Sequence, residues 1–241
     1  MALKRVDYNG EKFRLSYDIV NPDKKRSILF LHGWGSDKEL MKQAFSSNLE
    51  EFRHIYLDLP GFGKSGNDSV LTTHDYAAIV GSFLALLETT PYAAVGHSFG
   101  GKVATLLQPE RLVLLSSAGI PQPKPLKVRA KIALFKLLKP LGGDELRKLF
   151  VSADAAGMPQ NMYETFKNVV DENFRSSFAS FSSPALICWG TRDSATPLTA
   201  GREIAEIMPN ATLEVFEGDH YFFLGRRDQV AGRIGEFLEK V

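Results

Sequence analysis

The chain has 241 residues, a formal net charge of +1, and 44% hydrophobic against 24% charged residues. That length suits one well-cored domain with room for an inserted lobe, and a charge so near zero supplies no broad basic field for nucleic acid. The opening MALKRVDYNGEKFRLSYD lacks the apolar core of a signal peptide, and no apolar run reaches the roughly 20 residues of a membrane span. Cys188 is the single cysteine, so an intrachain disulfide is impossible and a reducing, cytoplasmic setting is expected, with no membrane partner.

Along the chain, Phe13, Leu15, Tyr17 and Ile19 alternate with polar residues, the signature of a half-buried strand. The pattern then changes. Ile28–His32, His54–Asp58, Tyr92–His97, Arg111–Ser116 and Ala185–Gly190 are short apolar runs ending in turn chemistry. Such runs fit strands covered on both faces, as in a parallel sheet. Between them lie stretches with helical spacing: Leu40, Ala44 and Leu49 in one, and Tyr76, Ile79, Val80, Phe83, Leu84 and Leu87 in a clearer one. Ile204, Ile207 and Met208 mark a third, and Ile234, Phe237 and Leu238 close the chain. Strands alternating with helices predict βαβ units and an α/β fold with helices on both faces of a mostly parallel sheet.

The alternation fails once. From about Ile120 to Ser183 only helical spacing remains, entered through Pro121, Pro123 and Pro125. Leu126–Leu138 is one helix candidate, and Met162, Phe166, Val169, Val170 and Phe174 mark another. Residues 1–119 and 184–241 are therefore expected to form the core domain, with 120–183 as a helical cap inserted into it.

The motif that carries chemistry is Gly96-His97-Ser98-Phe99-Gly100, which follows the run Ala93–Val95 and precedes a short helical stretch, Lys102–Leu107. A serine on a strand-to-helix turn is forced into a strained backbone, and the flanking glycines remove Cβ atoms that would clash. Its hydroxyl is a poor nucleophile until a base takes the proton. Of the five histidines, His32 lies in a turn, His54 begins a strand and His74 a helix. His97 adjoins the serine, so its side chain is expected to point to the other side. His220, in Glu217-Gly218-Asp219-His220 between a predicted strand and the last helix, is left as the base. For the acid that orients it, Asp193 in Gly190-Thr-Arg-Asp193 is favoured. Asp219 is the competitor, but it adjoins His220 and reaches round to that ring poorly. The oxyanion formed on attack needs donors. The N–H of Phe99 is one, and that of Trp34, in Leu31-His32-Gly33-Trp34-Gly35, is the second, although the same sequence also reads as a plain strand-exit turn. Gly33, Trp34, His97, Phe135 and Tyr221 are candidates for the substrate pocket.

Leu31–Gly35, Asp58-Leu-Pro-Gly-Phe-Gly-Lys-Ser65, Gly96–Gly101, Gly190–Asp193 and Gly218–His220 resemble, in this order, the motifs of the α/β-hydrolase superfamily. The resemblance covers almost the whole chain. It implies an eight-stranded, mostly parallel sheet with the lobe as a cap over the serine, and an acyl-enzyme mechanism without cofactor; the fold alone implies no substrate. One departure is the helix after Ser98, cut short by Gln108-Pro109-Glu110. Gly61-Phe-Gly63-Lys-Ser-Gly66 satisfies the dinucleotide fingerprint, but Pro60 precedes it and Asn-Asp-Ser follows where a helix should run, so no nucleotide cofactor is expected. Nor do histidines or carboxylates show metal-ligand spacing.

The expected substrate is a small-molecule carboxylic ester with a small or medium acyl group. The Leu-His-Gly-Trp-Gly and Asp-Leu-Pro-Gly-Phe-Gly segments also resemble methyl esterases that act on acyl groups held by an acyl carrier protein. Lys127, Arg129, Lys131 and Lys136 in the first cap helix, with Lys124 and Lys139 beside it, could meet an acidic carrier, or simply form a solvated face. A third reading is carbon–carbon hydrolysis of 2-hydroxy-6-oxodienoates. Relatives of that kind carry a longer glycine- and serine-rich turn than Trp34-Gly35-Ser36-Asp37. A non-catalytic binding module on the same fold is the alternative of another class.

Overall fold

A computed structural model of the chain describes residues 1–122 and 157–239. The strands are β1 (Ala2–Tyr8), β2 (Glu11–Val20), β3 (Ser27–Leu31), β4 (Arg53–Leu57), β5 (Ala93–His97), β6 (Arg111–Leu115), β7 (Ala185–Gly190) and β8 (Ala211–Phe216). They form one 8-stranded sheet in the order β1-β2-β4-β3-β5-β6-β7-β8. The β1–β2 and β2–β4 pairs are antiparallel and the remaining pairs parallel. The helices are α1 (Lys38–Phe45), α2 (Thr73–Leu86), α3 (Phe99–Leu106), α4 (Gln160–Val169), α5 (Arg175–Ser180), α6 (Leu198–Ile207), α7 (Phe222–Gly225) and α8 (Arg227–Glu239).

Why these elements form is visible in the alternation of the central strands. Leu29, Leu31, Ile55, Leu57, Leu112 and Leu114 face one core, which α2 and α3 cover with Tyr76, Ile79, Phe83, Phe99 and Val103. Ile28, Phe30, Tyr56, Val95 and Val113 face the opposite core, closed by Met41 and Phe45 of α1 and by Val230, Ile234 and Leu238 of α8. Strands apolar on both faces can only be buried between helix layers. The helix starts are capped locally. Asp37 accepts from the Glu39 N–H at 3.0 Å, and Thr72 and Asp75 form a reciprocal capping box on α2.

The differences from expectation have simple causes. Strand β1 was not visible because only Val6 of its residues is buried, so it shows no apolar run. Leu49 falls beyond α1, in a turn with φ of +54°. Val170 is 47% exposed, and Phe174 is buried at the start of α5, not on α4. The shortened helix is real: α3 stops at Leu106, and Gln108 turns the chain at φ +50°. After Gly66 the chain runs without helix until α2 starts at Thr73. The helix candidate Leu126–Leu138 and Phe135 lie outside the described residues.

Strand β3 sends its chain to β4 on one side and, later, to β5 on the other. The loops leaving β3 and β5 therefore part in opposite directions and open a crevice at the carboxyl ends of the strands, where ligands bind in open α/β sheets. Close approach of α3 to β3 defines that crevice: a Cβ on Gly100 would lie 2.5 Å from the carbonyl oxygens of Leu31 and His32. Gly100→Ala should therefore cost roughly 1–3 kcal/mol of stability through overpacking, read as a lower urea midpoint.

Candidate active site

Ser98 occupies the turn between β5 and α3 with φ +51° and ψ −115°. Positive φ is disfavoured for a residue with a side chain, and it persists where the surroundings over-determine it. Here the backbone is pinned on each side. Ser98 N–H donates to Leu115 O at 3.0 Å, and Ser98 O accepts from Gly101 N–H at 3.0 Å and Ala118 N–H at 3.1 Å. Phe99 opens α3, so its N–H has no intrahelical carbonyl to meet and points from the positive end of the helix.

The loop after β3 abuts this turn: a Cβ on Gly33 would lie 3.1 Å from Ser98 Cβ and 3.0 Å from His97 Nδ1. His32 sets the loop's direction. Its Nδ1–H donates to Gly33 O at 2.8 Å, while its Nε2 accepts from the Leu59 N–H at 3.0 Å. Burial lowers the pKa of His32 and keeps it in this neutral form. Across a trans peptide the N–H points opposite to the carbonyl, so a Gly33 carbonyl held toward His32 turns the Trp34 N–H away from that ring. Behind the loop, Asp58 accepts from the Lys38 N–H at 2.8 Å, Lys38 Nζ at 3.0 Å and the Lys64 N–H at 3.0 Å.

Past β7, Asp193 has a fully buried side chain. Its Oδ1 accepts from the N–H groups of Ala195 and Thr196, both at 2.9 Å. Its Oδ2 accepts from Thr196 Oγ1 at 2.9 Å and from His220 Nδ1 at 2.8 Å. Burial alone would raise this carboxyl, but the bonds from His220 and the Thr196 N–H outweigh it and hold the pKa down to about 2. Asp219, the competitor, turns its Oδ1 to the Tyr221 N–H at 2.8 Å. The His220 ring is 14% exposed, the only part of this pair open to a substrate.

Thr196 was missed at the level of sequence. Its hydroxyl also lies 3.1 Å from Ser116 O and 3.2 Å from His220 Nδ1, and its carbonyl holds Trp189 Nε1 at 2.7 Å. A signal was present, because an aspartate commonly accepts from N–H groups two and three residues on. Two pocket candidates lie elsewhere than expected. His97 is 1% exposed and packed beneath His220, so it does not line an open cavity. Its side chain does point to the far face of β5, but the loop carrying His220 crosses that same face. Tyr221 is 41% exposed and borders a surface cavity of about 360 Å³ with Arg192, Glu217 and Asp219, on the outer side of the loop. Trp34 is half-buried, its ring 4.8 Å from Phe62, 5.6 Å from Phe99 and 5.3 Å from Phe166 of α4.

Residues 28–233 match the family model described as "Alpha/beta hydrolase family". The chain belongs to this family. Among similar α/β hydrolases is the pimeloyl-[acyl-carrier protein] methyl ester esterase of Chromobacterium violaceum, 25% identical over 88% of this chain and 94% of that one. The protein of the same name from Vibrio campbellii is 26% identical over 87% and 93%. Among solved structures, an esterase from Exiguobacterium antarcticum superposes with a TM-score of 0.77 at 20% identity, covering 98% of this chain and 99% of that one, a likeness of fold. Among the described residues of this α/β hydrolase, no group of three His, Cys, Asp or Glu could hold a metal ion, and no helix is long and apolar enough to cross a membrane. Cys188 is buried, and burial pushes its thiol pKa up, away from reactivity.

The low Asp193 pKa has a consequence for stability. Between about pH 4 and pH 2 the unfolded chain binds a proton that the folded chain does not, so folding stability is lost as pH falls through this window. Asp193→Asn should flatten that part of the curve, as measured by thermal unfolding at stepped pH.

Proposed function

We propose that the chain hydrolyses carboxylic esters of small or medium acyl groups through an acyl-enzyme on Ser98. The observation that carries this reading is the 2.8 Å contact of His220 Nδ1 with the buried Asp193 carboxylate, at the same end of the sheet as the strained Ser98. With the Nδ1–H given to Asp193, His220 Nε2 carries the lone pair and acts as general base. It takes the proton from Ser98 Oγ as the oxygen attacks the ester carbonyl carbon. The carbonyl electrons move onto oxygen, where the N–H groups of Phe99 and Trp34 receive the charge. The imidazolium, stabilised by Asp193, then protonates the departing alcohol. Water, deprotonated by the same ring, attacks the acyl-enzyme, and collapse returns the proton to Ser98 and frees the acid. The described part of the inserted lobe, residues 157–183, supports its reading as a cap on this crevice. Met162 and Phe166 of α4 meet Gly61, Asn67 and Trp34 on the core side.

All three positions of the triad are filled, which argues against an inert binding module. The short Trp34-Gly35-Ser36-Asp37 turn argues against the carbon–carbon hydrolase. A second reading is a methyl ester whose acyl group is held on an acyl carrier protein. It is favoured by the activity for which the Chromobacterium violaceum relative is named, a protein that aligns along nearly its whole length. The basic segment that would face an acidic carrier, Lys124 to Lys139, lies outside the described residues.

A fluorophosphonate probe should label the wild type and leave Ser98→Ala unlabelled and inactive on p-nitrophenyl butyrate; labelling of the variant would remove the proposal. Asp193→Asn should lower kcat by about 10⁴-fold, whereas Asp219→Asn should not. For the second reading, carrier-linked methyl esters should be cleaved faster than free ones, with the advantage shrinking as salt screens the carrier. A preference indifferent to salt would count against the basic segment.

A further inference from the structure

His97 ends β5, directly before Ser98, and is 1% exposed. Its Nε2 lies 3.1 Å from the carbonyl oxygen of His220. A carbonyl only accepts, so Nε2 carries the proton, and in a neutral ring Nδ1 is then a bare acceptor. That Nδ1 is buried without a hydrogen-bond partner and lies 3.0 Å from where a Cβ of Gly33 would sit. The ring is wedged at centroid distances of 4.6 Å from His220, 5.2 Å from Tyr221 and 4.9 Å from Phe223. One rigid imidazole thus touches the loop of His220 and the loop of Trp34, and is covalently next to Ser98.

We infer that His97 is a positioning residue that sets the Ser98-to-His220 spacing by clamping the His220 carbonyl through Nε2–H while its Nδ1 edge rests on Gly33. This rests on the triad proposed above. The need for such a clamp follows from the geometry of His220. Asp193 and the Thr196 hydroxyl both meet the ring at Nδ1, and contacts at that one atom leave the ring free to pivot. The backbone on either side is bonded within the loop, Gly218 O accepting from the Arg192 N–H at 2.8 Å and Asp219 O from the Phe222 N–H at 3.1 Å, but neither bond ties His220 to β5. A second anchor on the His220 carbonyl fixes the backbone end, so ring and main chain are held at two points. Only the second anchor belongs to β5, the strand that carries the serine; Asp193 follows β7. Misplacement of a reacting group by about 1 Å can cost ~10²-fold in rate, so the clamp acts on turnover and leaves substrate affinity alone. The ring also has to stay uncharged, because a cation there would oppose the imidazolium that His220 becomes. Burial, and then the neighbouring His220, push the pKa of His97 down to about 3. The orphaned Nδ1 is the cost of a ring that fits three segments at once.

The test compares His97→Gln, whose amide keeps a donor close to the imidazole Nε2 position, with His97→Leu, which fills space without a donor. His97→Asn adds a donor too short to reach the His220 carbonyl. With p-nitrophenyl butyrate, His97→Leu and His97→Asn should lose ~10- to 100-fold in kcat with KM within about twofold, and His97→Gln should recover most of the loss. Fluorophosphonate labelling rates should fall and recover in parallel. Wild-type kcat in His97→Leu or His97→Asn would overturn the inference. So would a loss shared equally by His97→Gln and His97→Asn, because it would trace to packing and not to the donor. Should His97→Leu fail to fold, the Gln and Asn pair still decides. Ser98→Ala, run alongside, separates the two levels: activity in that variant sinks the triad itself, whereas an inactive Ser98→Ala beside a fully active His97→Asn sinks only the clamp.

Discussion

Turning the chain from β5 into α3 within a single residue places Ser98 at φ +51°, and much of the site's geometry follows from how that strain is held. The turn needs α3 to press directly on β3 and β5, which only glycine permits at positions 96 and 100. It needs β6 beside it, because the Ser98 N–H is bonded to the Leu115 carbonyl. Strain of this kind costs of order 1–3 kcal/mol and survives only where packing over-determines it. The two apolar cores supply that packing, one on each face of the sheet.

Around this turn, buried charge is placed where it fixes loops. Asp193 gathers donors from Ala195, Thr196 and His220. Asp58 draws the Lys38 side chain and two backbone N–H groups into the loop behind Trp34. Lys102, 1% exposed on α3, donates to Val169 O at 2.5 Å and to Glu172 at 3.0 Å, tying the helix after Ser98 to the end of α4. Each ion is paired and hydrogen-bonded, as buried charge must be. A buried pair of this kind adds little net stability, but leaving either partner alone would be expensive. These contacts therefore specify where the loops lie more than they strengthen the fold.

Much of the architecture was legible in the residues alone. Five apolar runs lie within a residue of β3, β4, β5, β6 and β7, because strands buried on both faces show unbroken hydrophobicity. The helical stripe from Tyr76 to Leu84 likewise stands out as the buried face of α2. Edge strand β1 carries no such signal, since it buries only Val6 and the remainder of its side chains meet solvent. The pair Asp193 and His220 was reachable by chain order and exclusion, while Thr196 was passed over although its spacing from Asp193 follows a known local pattern.

The sequence by itself determined the mostly parallel character of the sheet, the alternation of its central strands with helices and the residue types at their ends. These depend on local periodicity and on glycines at turns, which short stretches of chain display. Only the tertiary structure decided what His97 touches. Strand alternation directs its ring away from the side on which the serine projects, and nothing near it in sequence shows that a loop some 123 positions later crosses that same face. It also set which carboxylate meets the His220 ring, since Asp219 is bound to its own loop and Asp193 is carried to the ring by the pairing of β7 with β8. Contacts of this kind are set by how separate strands pack, which no local pattern records.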